Sequence, residues 1–212
     1  IRDSINMGLD HLTNTINVLK DYKFRIKNEG YDICKISIGA VGLITPWNWP
    51  LNQLFTKVAS AIAAGCSILV KPSEYSPLSA RLVAEIISKS DLPKGSFNMI
   101  NGIGKNMGHL ITSDPRLSMI SFTGSTRAGI EIQKSAADTI KKVSLELGGK
   151  SAHIIFDDVE YSDAIPVALD QCFLNSGQSC SSPTRLLVPE KDIGIIENIA
   201  LNLSLIHISE PT

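Results

Sequence analysis

Cys180, Glu146 and Asn48 carry reactive groups in settings that could use them. Cys180 closes the short polar stretch Asn175-Ser176-Gly177-Gln178-Ser179-Cys180, between an apolar helical run (Ala164 to Leu174) and a β-rich segment (Thr184 to Val188). A thiol at the end of a Gly-containing loop is held by its neighbours yet open to solvent. Only the thiolate attacks, and burial among apolar groups would lift the thiol above its free pKa of roughly 8.5. The plain alternative is a cysteine that fills space, a common fate of this residue. Glu146 lies in the apolar run Leu145-Glu146-Leu147, where desolvation is expected to raise its carboxyl towards the range of a general base. A strand-edge carboxylate facing water is the other reading. Asn48 stands in Thr45-Pro46-Trp47-Asn48-Trp49-Pro50, a stiff loop. An amide fixed there could donate to an oxygen gaining negative charge, or simply serve as a turn residue.

Other stretches could hold an anionic or hydroxyl-rich ligand. In Lys71-Pro72-Ser73-Glu74 the ammonium could donate to ribose hydroxyls and the carboxylate accept from them, although such a pair can equally be a solvated ion pair. Gly102, Gly104 and Gly108 make a glycine-rich loop whose third glycine falls one place too late for the dinucleotide fingerprint. In Phe122-Thr123-Gly124-Ser125, Gly124 permits close approach and Ser125 opens a helix able to meet a phosphate. The Gly149-Lys150-Ser151 triplet has Ser144 where a Walker-type loop needs a glycine five places earlier, which excludes such a site.

Positioning these residues requires alternating strands and helices. Ile1, Ile5, Leu9, Leu12, Ile16 and Leu19 mark an amphipathic helix over 1–20, and residues 22–37 read as a hairpin turning at Glu29-Gly30. From residue 38 short apolar runs predict strands at 38–44, 67–70, 97–100, 119–122 and 142–147. Between them come a helix carrying Leu51, Leu54, Phe55, Val58, Ala59 and Ile62, and one from Ser76-Pro77 with Leu78, Leu82, Val83, Ile86 and Ile87 inward. Two further helices are expected at 105–112 and 125–137. This alternation predicts a parallel sheet with helices on both faces, whose ligands sit beyond the carboxyl ends of the strands. Every candidate residue before 148 follows or ends a strand.

The 20 Lys and Arg against 21 Asp and Glu leave the chain near neutrality, without a basic run to track nucleic-acid phosphates. Apolar residues at 43% and charged residues at 19% fit a folded chain rather than a disordered one. No apolar run reaches membrane-spanning length, and no signal-peptide pattern is present. Cys34, Cys66, Cys172 and Cys180 form no CxxC pair, so free thiols in the cytoplasm are expected and a metal site is not.

Taken together, Pro46-Trp47-Asn48-Trp49-Pro50, Lys71-Pro72-Ser73-Glu74, Phe122-Thr123-Gly124-Ser125-Thr126, Leu145-Glu146-Leu147-Gly148-Gly149-Lys150 and Gly177-Gln178-Ser179-Cys180 resemble the NAD(P)-dependent aldehyde dehydrogenase superfamily in content and order. The interval from Glu146 to Cys180, 180 − 146 = 34 residues, resembles it too. The resemblance covers roughly residues 1–200. It implies Cys180 as nucleophile, Asn48 with the Cys180 N–H as oxyanion hole, and Glu146 as the base that activates water. It also implies a cofactor cleft of Thr45, Pro46, Trp47, Lys71, Ser73, Glu74, Gly104, Phe122, Gly124, Ser125 and Leu147. NAD is the expected cofactor, with NADP possible, because Glu74 would repel a 2′-phosphate. The expected substrate is a small-molecule aldehyde, and the parent enzyme a homodimer or homotetramer.

The implied fold is α/β, a Rossmann-like parallel sheet followed by the start of a second, truncated α/β catalytic domain. The divisions expected are a helix (1–20), a bridging hairpin that could pair with another subunit (21–37), an NAD-binding domain (38–148), the start of a catalytic domain (149–202) and an atypical tail (203–212), foreign or frameshifted. The family's chain runs further, through a later motif that holds the nicotinamide ribose. A truncated nucleotide-binding fragment without turnover, and a cofactor-independent thiol esterase, are the two rival functions.

Overall fold

The computed structural model describes residues 2–204, and the chain divides into two compact units, 1–147 and 148–212. The first opens with α1 (Arg2–Asp21), then the antiparallel hairpin β1 (Arg25–Asn28) and β2 (Tyr31–Cys34), which forms a sheet of its own. Then follow β3 (Ala40–Ile44), α2 (Pro50–Ala63), β4 (Ser67–Lys71), α3 (Pro77–Ser88), β5 (Phe97–Met99), α4 (Gly104–Ser113), β6 (Met119–Gly124), α5 (Thr126–Ala137) and β7 (Lys142–Leu147).

These strands make one parallel sheet in the order β5-β4-β3-β6-β7. Strand alternation divides its side chains between two cores. Val41 and Leu43 pack with Ile68 and Val70 against Leu54 and Val58 of α2 and Ala80 and Val83 of α3. On the opposite face Ile44, Ile120 and Phe122 pack with Ile111 of α4 and Ile132 of α5. Gly42 faces that second core because nothing larger fits: a Cβ there would lie 2.8 Å from Ile120 Cδ1 and 3.1 Å from Ile111 Cγ2.

The expected inward set on α3 is corrected. Val83 is buried and Ile87 packs on the core, but Leu78, Leu82 and Ile86 are 70%, 60% and 69% exposed. Two apolar stripes run along this helix, and the small Ala80 faces the sheet because it lets the helix approach closely.

In the second unit β8 (Ala152–Ile154) pairs in parallel with β9 (Arg185–Leu187). Between them lie α6 (Tyr161–Phe173) and a 3₁₀ turn, Leu174–Gly177; α7 (Ile193–Ser204) follows. Ile155, Ile165, Ala168 and Ile196 form its core. Strand β8 was not expected, since three residues are too short for a periodic signal. Residues 203–204 end α7, and the rest of the expected tail lies outside the described residues.

Candidate active site

The first unit gathers its candidate residues at the carboxyl edge of the sheet. Strand β3 sits between β4 and β6, so the chain reverses direction of travel across the sheet between β3 and β6, the place where such sheets open a ligand crevice. Register aligns Ile44 with Lys71 on one side and with Phe122 on the other. The loop Thr45 to Trp47 therefore leaves the sheet between the ends of β4 and β6. Thr45 is buried, its N–H donating to Lys71 O at 3.2 Å, while Trp47 is exposed and Asn48 is partly buried ahead of α2.

Lys71, only 3% exposed, donates to Glu74 Oε2 at 2.6 Å. The N–H of Gly104, the first residue of α4, donates to Glu74 Oε1 at 2.9 Å. Burial pulls the Glu74 carboxyl upward, but the Gly104 N–H and the Lys71 ammonium outweigh it and hold it down at about 2. Each Glu74 oxygen keeps a lone pair after these bonds, enough to accept from vicinal hydroxyls. Ser73 is buried, and its Oγ accepts from the Tyr75 N–H at 3.2 Å. Across the crevice Ser125 caps α5, its Oγ accepting from Ala128 N at 3.3 Å. The free N–H groups of that helix start favour an anion. Gly124 leaves the approach open, since a Cβ would fall 2.4 Å from the Phe122 ring. Leu147 packs over Gly129 of α5.

Glu146 lies opposite Thr123 at the end of β7. Its expected desolvation is not found. β7 is an edge strand with one neighbour, and the Glu146 side chain is exposed in spite of its apolar sequence neighbours. The buried ionisable group beside it is Lys57, on α2, which sequence reasoning missed. Lys57 is 8% exposed and donates to Ser121 Oγ at 2.8 Å. Burial lowers its ammonium to about 8, and attraction to Glu146 offsets part of that shift. The signal was present: Lys57 falls between Leu54 and Val58 on the inward stripe of α2, where a cation needs a partner.

In the second unit Cys180 is exposed in the loop after α6. The preceding turn is unusual: Asn175, Ser176 and Gly177 have φ of 54°, 57° and 72°, three left-handed residues in succession. Gly takes this conformation freely and Asn tolerates it, whereas Ser176 stores strain. Two residues beyond Cys180, Ser182 is buried and its Oγ donates to Cys172 O at 2.7 Å, fastening the loop to the end of α6. Ser182 was also missed, because a serine beside two others carries no pattern. Among the described residues no cluster of His, Cys, Asp and Glu is suited to a metal ion.

Fold and site thus define a doubly wound α/β nucleotide-type sheet followed by a unit bearing an accessible loop thiol. The sequence profile of the aldehyde dehydrogenase family matches residues 3–199, and the chain belongs to that family. It is 45% identical over 193 residues to a 3-succinoylsemialdehyde-pyridine dehydrogenase of a Pseudomonas species, matching 91% of this chain and 40% of that protein. An aldehyde dehydrogenase crystal structure from Bartonella henselae superposes with a TM-score of 0.92 at 46% identity, over 97% of this chain and 44% of the other. Aldehyde dehydrogenase C of Pseudomonas syringae, a mutant solved with NAD+ and octanal, gives a TM-score of 0.92 at 43% identity, over 94% and 41%. The chain spans about 40% of the length of the curated relatives it matches.

Proposed function

We propose that this chain is the cofactor-binding and nucleophile-bearing part of an enzyme that oxidises an aldehyde to a carboxylic acid with NAD. The observation that carries the reading is the crevice at the β3/β6 reversal, flanked by the Lys71–Glu74–Gly104 cluster and the start of α5, in a chain that also presents an exposed loop thiol. The fit to a dinucleotide is chemical. Glu74 offers two oxygens to ribose hydroxyls, and the α5 N-terminus offers N–H groups to a pyrophosphate. The carboxylate also favours NAD over NADP.

In the reaction the Cys180 thiolate adds to the aldehyde carbon, forming a C–S bond and an oxyanion. Asn48 Nδ2 and the Cys180 N–H donate to that oxygen as its charge grows. Bound NAD would supply the acceptor for the hydride that leaves the thiohemiacetal carbon. The thioester left on Cys180 is hydrolysed by water from which Glu146 takes a proton, and C–S cleavage releases the acid and the thiolate. Lys57 below pH 8 is an ammonium attracted to Glu146. The substrate is a small-molecule aldehyde, the parent enzyme is a homodimer or homotetramer using the unpaired edges of the β1–β2 hairpin, and the four free cysteines suit the cytoplasm.

NADH formation from an aldehyde panel by the complete protein, wild type against Cys180→Ala, tests the reading. Activity lost in Cys180→Ala with NAD binding retained is the expected result. NAD binding without turnover in the wild type would favour a nucleotide-binding role, and ester cleavage indifferent to NAD a thiol esterase.

A further inference from the structure

A second cavity lies between α1 and α2, towards the end of α2 remote from Asn48. Its volume is about 460 Å³, within the range of small-molecule sites, and its walls include His11, Thr15, Tyr22, Phe24, Thr56 and Ser60. Ser60 stands ten residues along α2 from Pro50, or roughly 15 Å at the helical rise. The proposed reaction uses none of these residues.

The hydrogen bonds of the walls define what the cavity can bind. Thr15 Oγ1 donates to His11 O at 2.8 Å, Thr56 Oγ1 to Asn52 O at 2.7 Å and Ser60 Oγ to Thr56 O at 2.8 Å. Each hydroxyl has a single proton, and each proton is committed to a backbone carbonyl one turn earlier. His11 Nε2 lies 2.7 Å from Asn52 Oδ1 and 2.9 Å from Thr56 Oγ1. Neither oxygen has a proton to give, so Nε2 carries the hydrogen and donates to both. Three hydroxyl oxygens therefore offer lone pairs and no protons. Asn14, exposed on the same lining, is the side chain there with N–H groups to spare.

The apolar part of the wall is aromatic. Tyr22 and Phe24 meet edge to face with centroids 4.8 Å apart, and Lys35 Nζ sits 4.3 Å from the Tyr22 ring centroid. That cation already uses the ring's attraction for positive charge and disfavours a second one. We infer that this cavity is a binding site for a neutral hydrogen-bond donor with a flat apolar body, of the indole or phenol type. The acceptor lining selects the N–H or O–H, and the Tyr22–Phe24 pair takes the ring.

The test uses the complete protein with indole and with benzofuran, which has nearly the same shape and no donor, followed by ligand-observed NMR titration. Indole is expected to saturate and to bind at least about fivefold tighter than benzofuran, the ratio one hydrogen bond of about 1 kcal/mol supports. Ser60→Phe, at an exposed position, should weaken both ligands at least about tenfold by filling the space, with circular dichroism confirming the fold. Thr56→Val should shrink the preference for indole to under about twofold. Absence of saturation, equal affinity for the two probes, or binding unchanged in Ser60→Phe would overturn the inference. No readout involves NAD or Cys180, so the outcome is independent of the proposed oxidation.

Discussion

At the scale of single residues, burial makes Lys57 unusual. Its folded pKa of about 8 lies below the ordinary 10.5, so between those values the unfolded chain holds a proton that the folded chain has lost. Stability therefore rises with pH through that window. Urea denaturation of wild type and Lys57→Met should show the wild type gaining about 1.5 kcal/mol relative to the variant between pH 8 and pH 9.5. A parallel pH dependence in the two proteins would refute the burial of this ammonium. Glu74 is the opposite case. Its depressed carboxyl favours the folded state above its ordinary pKa of 4.5, a contribution lost as pH falls towards 2. Because the charge also bears on the cofactor, Glu74→Gln in the complete protein should raise the NADP-to-NAD ratio of kcat/KM roughly tenfold, the effect of removing a screened repulsion of about 1.4 kcal/mol. An unchanged ratio would show that this carboxylate does not read the 2′ position.

Among the elements, two turns hold non-glycine residues in left-handed conformation. Ile140, between α5 and β7, has φ of 51° and is 93% exposed. A β-branched side chain suffers most there, and its exposure leaves little packing to lose. Ile140→Gly should stabilise the chain by about 1 kcal/mol, read as a raised thermal midpoint, after the added freedom of the unfolded chain is subtracted. A lowered midpoint would mean that the residue has packing in solution that outweighs the strain. The turn before Cys180 is held differently, by the bond from Ser182 to Cys172 O. Ser182→Ala strands a carbonyl and should cost about 1–2 kcal/mol while lowering kcat more than it raises KM.

Across the whole molecule, the alternation of apolar runs made the parallel sheet legible, because βαβ strands buried on both faces are continuous in Val, Ile and Leu. Loops after strands gave Lys71, Glu74, Gly124 and Ser125 by the same logic, and their motifs gave the family. Three matters were not legible. The three-residue strand β8 has no period, the outward stripe Leu78, Leu82 and Ile86 is as apolar as the inward one, and the exposure of Glu146 follows from strand order rather than from local sequence. That stripe has a consequence for the chain by itself: light scattering should show self-association, suppressed by Leu82→Lys with Ile86→Glu. Scattering that stays monomeric in the wild type would show the stripe to be harmless.

In the proposed reaction Cys180 carries the acyl group and Glu146 releases it. Mass spectrometry of the complete protein, quenched during turnover with an aldehyde and NAD, reads both residues at once. In Glu146→Gln an acyl adduct should accumulate on the peptide containing Cys180, together with a single-turnover burst of NADH. An adduct on another cysteine, or steady NADH formation by Cys180→Ala, would rule out these roles for Cys180 and Glu146.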